Sequence, residues 1–207
     1  MQNSSVSGER PVLIVVAGPN GSGKTTITQQ LLKHEWMGGC VYVNPDEIAQ
    51  QDFAGWNDQS SILKAAERAE EIRFECLKTK KSLAFETVFS AVDKIDFIKS
   101  AHNAGFFIRL FFVCTNDPGI NVTRVGRRVL EGGHSVPIDK IISRYYKSIA
   151  NCVTVAPFVD RLYFYDNSVE NEQARLLFKV KRSFVVEVYE NLEPWAQEIV
   201  ETLPSEN

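Results

Sequence analysis

The chain has 207 residues, 44% of them hydrophobic and 24% charged, which suits one domain with a well-buried core over residues 1–207. A formal net charge of −3 gives no basic footprint, so nucleic acid is not an expected partner. No stretch approaches a membrane span and MQNSSVSGER at the N-terminus has no apolar signal core, so no membrane association is expected and the cytoplasm is the expected location. Residues 1–10 read as a flexible tail. Cys40, Cys76, Cys114 and Cys152 form no Cys-x-x-Cys pair and are expected to be free thiols.

Pro11 to Val16 is a short, β-branched apolar run suited to a parallel strand covered on both faces. Behind it, Gly18-Pro19-Asn20-Gly21-Ser22-Gly23-Lys24-Thr25 matches G-x-x-x-x-G-K-[ST] at every fixed position, and Thr26 follows in the helix that begins there. The glycines permit left-handed turns and bring backbone N–H groups close to phosphate oxygens. Lys24 supplies a point charge for the β- and γ-phosphates, the Thr25 hydroxyl can complete a magnesium shell, and the helix directs its positive end at the anion. The pattern predicts a site for a nucleoside triphosphate.

The first helix is expected to run from Thr25 to His34, before Met37-Gly-Gly breaks the chain. Val41 to Val43 is a second strand with Asn44-Pro45-Asp46 at its carboxyl end, where such sheets place functional residues. Asp46 therefore stands beside the phosphate loop, or caps the helix starting around Glu47, or does both. Gln51 to Ser60, with Phe53 and Trp56, reads as a loop. Ser61 to Lys80 is an amphipathic helix on Ile62, Ala65, Ala69, Ile72 and Cys76, with Arg68, Glu70, Glu71 and Arg73 on its solvated face.

Ser82 to Phe89 is a third strand in which Glu86 and Thr87 interrupt an apolar run; a carboxylate there either faces a cation-lined cleft or pairs structurally. A helix over Asp93 to Ala104 leads to a fourth strand, Phe106 to Val113. Asn116-Asp117-Pro118 starts a helix that Gly132-Gly133 stops, with Val122, Val125 and Val129 as its apolar stripe and Arg124, Arg127 and Arg128 on another side. After the hinge with His134, a second helix puts Ile138, Ile141, Ile142, Tyr145 and Ile149 toward the core and Lys140, Arg144, Lys147 and Asn151 away from it. The two form a lid-like hairpin over about 117–152, whose arginines suit developing phosphoryl charge. Arg161 to Tyr165 is a fifth strand ending at Asp166-Asn167-Ser168, Leu176 to Val188 ends the sheet or forms a hairpin arm, and Glu193 to Thr202 is a closing helix. The expected fold is α/β: a P-loop kinase-like three-layer fold with a mostly parallel five-stranded sheet and a helical lid.

From Val12 to Ser168 the chain resembles the zeta-toxin family of P-loop kinases. The resemblance is carried by GPNGSGKTT at Gly18 to Thr26, Asn44 with Asp46, FET at Phe85 to Thr87, RVGRRVLEGGHSVP at Arg124 to Pro137, RYYKSIAN at Arg144 to Asn151 and DNS at Asp166 to Ser168. It implies transfer of the ATP γ-phosphoryl group to a hydroxyl, with Mg2+ and with UDP-N-acetylglucosamine as the known acceptor of the family's best-studied members. Residue by residue it implies Asp46 as catalytic base, Lys24 as the phosphate-binding lysine, Arg128 and Arg144 as a charge-stabilising pair, and Asn44, Glu86 and Thr87 on the acceptor side. An antitoxin protein is the partner it implies. The chain is shorter than those toxins, and outside these motifs no sugar-nucleotide pocket can be matched. A kinase for another metabolite or nucleoside, or a partner-regulated ATPase switch, is the competing reading.

Overall fold

The computed structural model describes residues 10–53, 59–133, 135–189 and 191–205. Trp56 and His134 lie outside these residues. The first strand, β1 (Val12–Ala17), is the centre of the sheet because its side chains have an apolar layer to enter on either face. Leu13, Val15 and Ala17 point into the larger core, and Ile14 and Val16, displaced by one residue, point into the smaller. An uninterrupted apolar run is what such a strand requires.

Around β1 lie β2 (Val41–Val43), β3 (Leu83–Thr87), β4 (Phe107–Cys114) and β5 (Arg161–Asp166), all parallel, followed by the antiparallel β6 (Arg175–Lys181) and β7 (Phe184–Val188). The order β2-β3-β1-β4-β5-β6-β7 makes seven strands, two more than the sequence reading expected. The addition is the hairpin β6–β7. Register shifts within β6 disturb its period-two alternation, and its turn is made by Arg182 and Ser183 at φ 48° and 77° without the glycine or asparagine that usually marks such a turn.

On one face, α1 (Lys24–Leu31) covers Ile14, Val16, Ala84, Phe111 and Val113 with Ile27 and Leu31. It stops three residues before His34 and gives way to a 3-10 turn at Glu35–Met37. After β2 comes α2 (Pro45–Asp52); on the other face lie α3 (Gln59–Thr79), α4 (Val92–Asn103), α6 (Ile138–Val155) and α7 (Pro194–Thr202), which contribute Ala69, Cys76, Ile98, Tyr145, Cys152, Trp195 and Ile199 to the larger core. The thiols are free; Cys76, Cys114 and Cys152 are buried. Among the described residues no helix is long and apolar enough to cross a membrane.

Two helical stripes differ from their sequence pattern. Arg73 is not on the solvated face of α3: it is buried with its guanidinium 5.2 Å from the centre of the Phe85 ring, where its aliphatic stem packs and its charge meets the π face. In α6 the inward stripe is Ile141, Tyr145, Ser148 and Cys152, while Ile138 and Ile142 are exposed because the helix meets the core along a narrower band than five apolar positions suggest. The remaining helix, α5 (Pro118–Leu130), starts with an Asp117 side chain accepting from Gly119 N and buries Asn121 and Val125. Neither belongs to the two large core clusters, so α5 stands over the phosphate loop rather than in the core.

Candidate active site

The switch in strand order falls at β1: the chain runs from β1 out to β2, returns to β3 beside β1, and then crosses to β4 on the other side of β1, which opens a crevice at the carboxyl ends of these strands. The phosphate loop lies there. Gly18 (φ 150°) is fixed in place by its N–H to Thr87 O at 3.2 Å and sits so close to β4 that a Cβ would stand 2.0 Å from Val113 O. Gly23 (φ 93°) ends the loop at the N-terminus of α1, where a Cβ would stand 2.1 Å from Asn167 Nδ2. These positions require glycine on both conformational and steric grounds.

The loop is held from three directions. Asn121 of α5 donates to Asn20 O at 2.6 Å, Asn167 after β5 donates to Ser22 O at 2.8 Å, and Arg144 of α6 donates to Asn20 Oδ1 at 3.3 Å. Behind them, Asn121 Oδ1 accepts from the Thr115 hydroxyl, and Thr115 O accepts from Tyr145 OH at 2.5 Å. Asn167 and Ser168 in turn offer their carbonyls to Arg124, at 2.8 and 3.5 Å. The sequence pattern puts Asn167 in the turn that ends the fifth strand and does not single out Asn121; a fully buried asparagine has no signature in a helix whose valines set the pattern.

Lys24 donates to Pro19 O at 3.0 Å. Burial lowers its pKa to about 8; Glu86 raises it, Arg128 lowers it further, and Cys114 opposes that. The ammonium is thus held in a site that disfavours its charge until an anion arrives.

One cavity of about 750 Å³ gathers the chemistry: Lys24 and Thr25 from α1, Arg124 and Arg128 from α5, Asn44, Asp46 and Glu47 around the start of α2, and Glu86 and Thr87 from the end of β3. The Thr25 hydroxyl donates to Glu86 Oε2 at 3.4 Å, so the sequence-predicted metal residue and the β3 carboxylate meet. Among the described residues no group of three or more His, Cys, Asp or Glu could hold a metal. A hydroxyl beside a carboxylate nevertheless suits a hard cation such as Mg2+ that completes its shell with phosphate oxygens.

Asp46 is exposed within this cavity and is not the cap of α2. The cap is Asn44, whose Oδ1 accepts from Asp46 N at 3.0 Å. That relieves Asp46 of the structural role that competed with chemistry. Thr87 lines the cavity and its hydroxyl also accepts from Phe89 N at 3.1 Å, which holds the turn where Phe89 adopts φ 62°. Arg128 lines the cavity and makes no ion pair among the described residues, whereas Arg127 pairs with Glu170. A second cavity, of about 410 Å³, lies across α1 and is lined by Gly21, Gly23, Thr26, Arg124, Arg127, Tyr165 and Asn167.

Residues 1–175 match the Zeta toxin family. The chain belongs to the zeta toxin family. An uncharacterized protein of Haemophilus influenzae is 27% identical over 135 residues, covering 64% of this chain and 91% of that protein. Among solved structures, the AvrRxo1-ORF1:-ORF2 complex with ATP matches at a TM-score of 0.67 and 17% identity, over 96% of this chain and 64% of that one. A structure from the PezAT chromosomal toxin–antitoxin system of Streptococcus pneumoniae matches at a TM-score of 0.60 and 17% identity, over 95% of this chain and 85% of that one. The zeta-type chain thus spans slightly less than two thirds of the AvrRxo1 chain, and these structural likenesses establish the shared fold.

Proposed function

We propose that this zeta toxin family member is an ATP-dependent phosphotransferase that moves the γ-phosphoryl group to a hydroxyl of a small molecule. The observation that carries the reading is a single cavity lined by Lys24, Thr25, Arg124 and Arg128 together with Asp46 and Glu86. Phosphoryl transfer needs positive charge around the migrating group and a carboxylate near the incoming hydroxyl, and little else from the protein.

The loop N–H groups and Lys24 hold the β- and γ-phosphates, and the smaller cavity takes the base. Thr25 and Glu86 would hold Mg2+, which when bound neutralises charge between the phosphates. Asp46 orients the acceptor hydroxyl and takes its proton as the new P–O bond forms. Arg128 and Arg144 meet the charge that accumulates on the transferred group. Arg124 and Arg127 bind at the nucleotide edge. The cytoplasm, which holds ATP and small hydroxylated metabolites, is the location this activity calls for.

A UDP-sugar such as UDP-N-acetylglucosamine is the acceptor that family membership brings forward first, and a restraining antitoxin is the partner the PezAT likeness brings forward. Incubating the full chain with Mg-ATP and a cell metabolite extract, then searching by mass spectrometry for compounds that gain one phosphoryl group, tests the reaction. ATP turnover that depends on a protein partner and yields no phosphorylated compound would replace it with an ATPase switch.

A further inference from the structure

The arginines of α5 are held in different ways. Arg127 pairs with Glu170, and Arg124 donates to Asn167 O and Ser168 O at 2.8 and 3.5 Å. Arg128 is exposed and lines the large cavity, yet it has no hydrogen bond or ion pair among the described residues. A long side chain with no polar partner is free to sample many rotamers, which spreads its charge over a volume instead of aiming it.

What restrains Arg128 is the end of its own helix. Leu130 is the last residue of α5 and Glu131 its C-cap; beyond them Gly132 N donates to Val129 O at 3.0 Å and Gly133 N donates to Arg128 O at 2.9 Å. These are the paired bonds of a Schellman motif, with Gly132 (φ 93°) in its left-handed position. In that motif the residue in the place of Arg128 commonly makes an apolar contact with the side chain in the place of Gly133. Here the aliphatic stem of Arg128 lies directly on a residue without a side chain. A Cβ on Gly133 would stand 2.8 Å from Arg128 Cγ, 2.9 Å from its carbonyl oxygen and 3.3 Å from its Cδ. The two glycines therefore answer different needs. A Cβ on Gly132 would meet open space, so conformation alone calls for glycine there; the φ of Gly133 lies outside the left-handed region, so what calls for glycine is the room that Arg128 occupies.

We propose that Gly133 is a positioning residue: its missing side chain is the seat of the Arg128 stem, and that seat sends the guanidinium into the cavity that also holds Lys24 and Asp46. The inference rests on the phosphoryl-transfer reading above, in which Arg128 meets the charge on the transferred group. A charge already aimed needs no reorganisation as the transition state forms. A methyl group on residue 133 can be accommodated by turning the stem at Cγ, and the displacement then grows along the side chain to the guanidinium. The other way is to break the hydrogen bond from Gly133 N and unwind the last turn, which moves the backbone of residue 128. Either adjustment falls on Arg128.

The test uses the full chain with Mg-ATP and a fixed cell metabolite extract, with phosphorylated product read by mass spectrometry. Gly133→Ala should lower the rate at saturating ATP by at least about tenfold, toward the ~10²-fold that a misplaced group costs, while KM for ATP stays near that of the parent. In an Arg128→Ala background the same methyl group should lower the rate no further, because the two changes act through one side chain. A parent rate in Gly133→Ala, or an equal loss in both backgrounds, would overturn the proposal, the latter by assigning Gly133 to the helix end alone. A second readout needs no activity: the NMR signal of the Arg128 Nε–H group, identified by its disappearance in Arg128→Ala, should shift and lose order in Gly133→Ala, and an unchanged signal would overturn the seat. If that signal moves as expected while Arg128→Ala keeps the parent rate, or while the parent phosphorylates nothing, the seat is upheld and it is the phosphoryl-transfer reading that fails.

Discussion

Asn121 Nδ2 donates to Asn20 O at 2.6 Å, which ties the phosphate loop to the helix that carries Arg124 and Arg128. The loop's shape and the position of the arginines are therefore linked by one buried amide. Asn121→Asp keeps the size and the acceptor for Thr115 but removes the donor and buries a charge. It should cost about 2–3 kcal/mol of stability and weaken ATP binding at the same time. Thermal denaturation and nucleotide titration on one preparation check this; intact affinity with lowered stability would show that the tether does not shape the loop.

The second prediction concerns pH. Lys24 falls from 10.5 to about 8 because burial disfavours its charge in the folded, ligand-free protein. Between those values the unfolded chain binds more protons than the folded one, so this residue makes stability rise as pH increases from about 8 to 10.5. At neutral pH the buried charge costs on the order of 3 kcal/mol, so Lys24→Met should raise the melting temperature of the ligand-free protein. Phosphate reverses the preference, so ATP binding should take up a proton near pH 8 and weaken above it. Calorimetry in buffers of different ionisation enthalpy reads that proton directly, and Lys24→Met should abolish both the uptake and tight binding.

Gly23 gives a steric test. With φ at 93° and Asn167 Nδ2 2.1 Å from the position of a Cβ, Gly23→Ala must displace Asn167 and strain the loop. Nucleotide affinity should fall at least tenfold, since a methyl group here opposes both the backbone and the tether. Adding Asn167→Ala should recover only part of the loss, because it removes the clash but not the strain. Full recovery would mean that the backbone conformation contributes little.

Much of this arrangement is written locally. The phosphate loop, the parallel strands and the helix starts at Asn44 and Asp117 follow from short patterns in which each residue acts on its neighbours. The pattern around Asn44 was harder to assign, because both Asn44 and Asp46 are good capping residues and only the backbone geometry shows that Asn44 takes the role. Arg73 and Ser148 depart from their helical stripes because distant partners, the Phe85 ring and Val88 O, accommodate them. Asn121 and Asn167 brace the loop across 101 and 145 positions of sequence, and no local period encodes such a contact. The β6–β7 hairpin was ambiguous for the opposite reason: its turn uses Arg182 and Ser183 where glycine would have announced it.

The two arginines should separate chemistry from binding. Arg128 lines the cavity with no ion-pair partner among the described residues, and Arg144 reaches the loop through Asn20. Arg128→Ala should lower kcat by about 10³-fold while ATP affinity changes far less, the pattern of a charge that matters chiefly to the transition state. Arg144→Ala should lower kcat comparably but also loosen ATP, because it releases Asn20. Stopped-time assays with parallel binding measurements distinguish them; normal rates in both variants would remove α5 and α6 from catalysis.

Asp46 allows the cleanest separation of roles. It occupies the first turn of α2, yet the capping hydrogen bond there is made by Asn44, so Asp46 contributes to the helix only through its charge near the positive end of the dipole. Asp46→Asn preserves size and geometry and gives up that charge, a loss of about 0.3–1 kcal/mol at an exposed position. The same change removes the basicity that an acceptor hydroxyl needs at neutral pH, and general-base deletions cost about 10²–10⁴ in rate. The expected variant is therefore folded, slightly less stable, able to bind ATP as the parent does, and nearly inactive in transferring phosphoryl groups. Asn44→Ala is the counterpart: it should lose about 1 kcal/mol of stability as its cap is removed, and more activity than that loss explains only if α2 shifts Asp46. Melting temperature, ATP affinity and product formation measured together on both variants decide the matter, and product formation at the parent rate in Asp46→Asn would exclude Asp46 as the base.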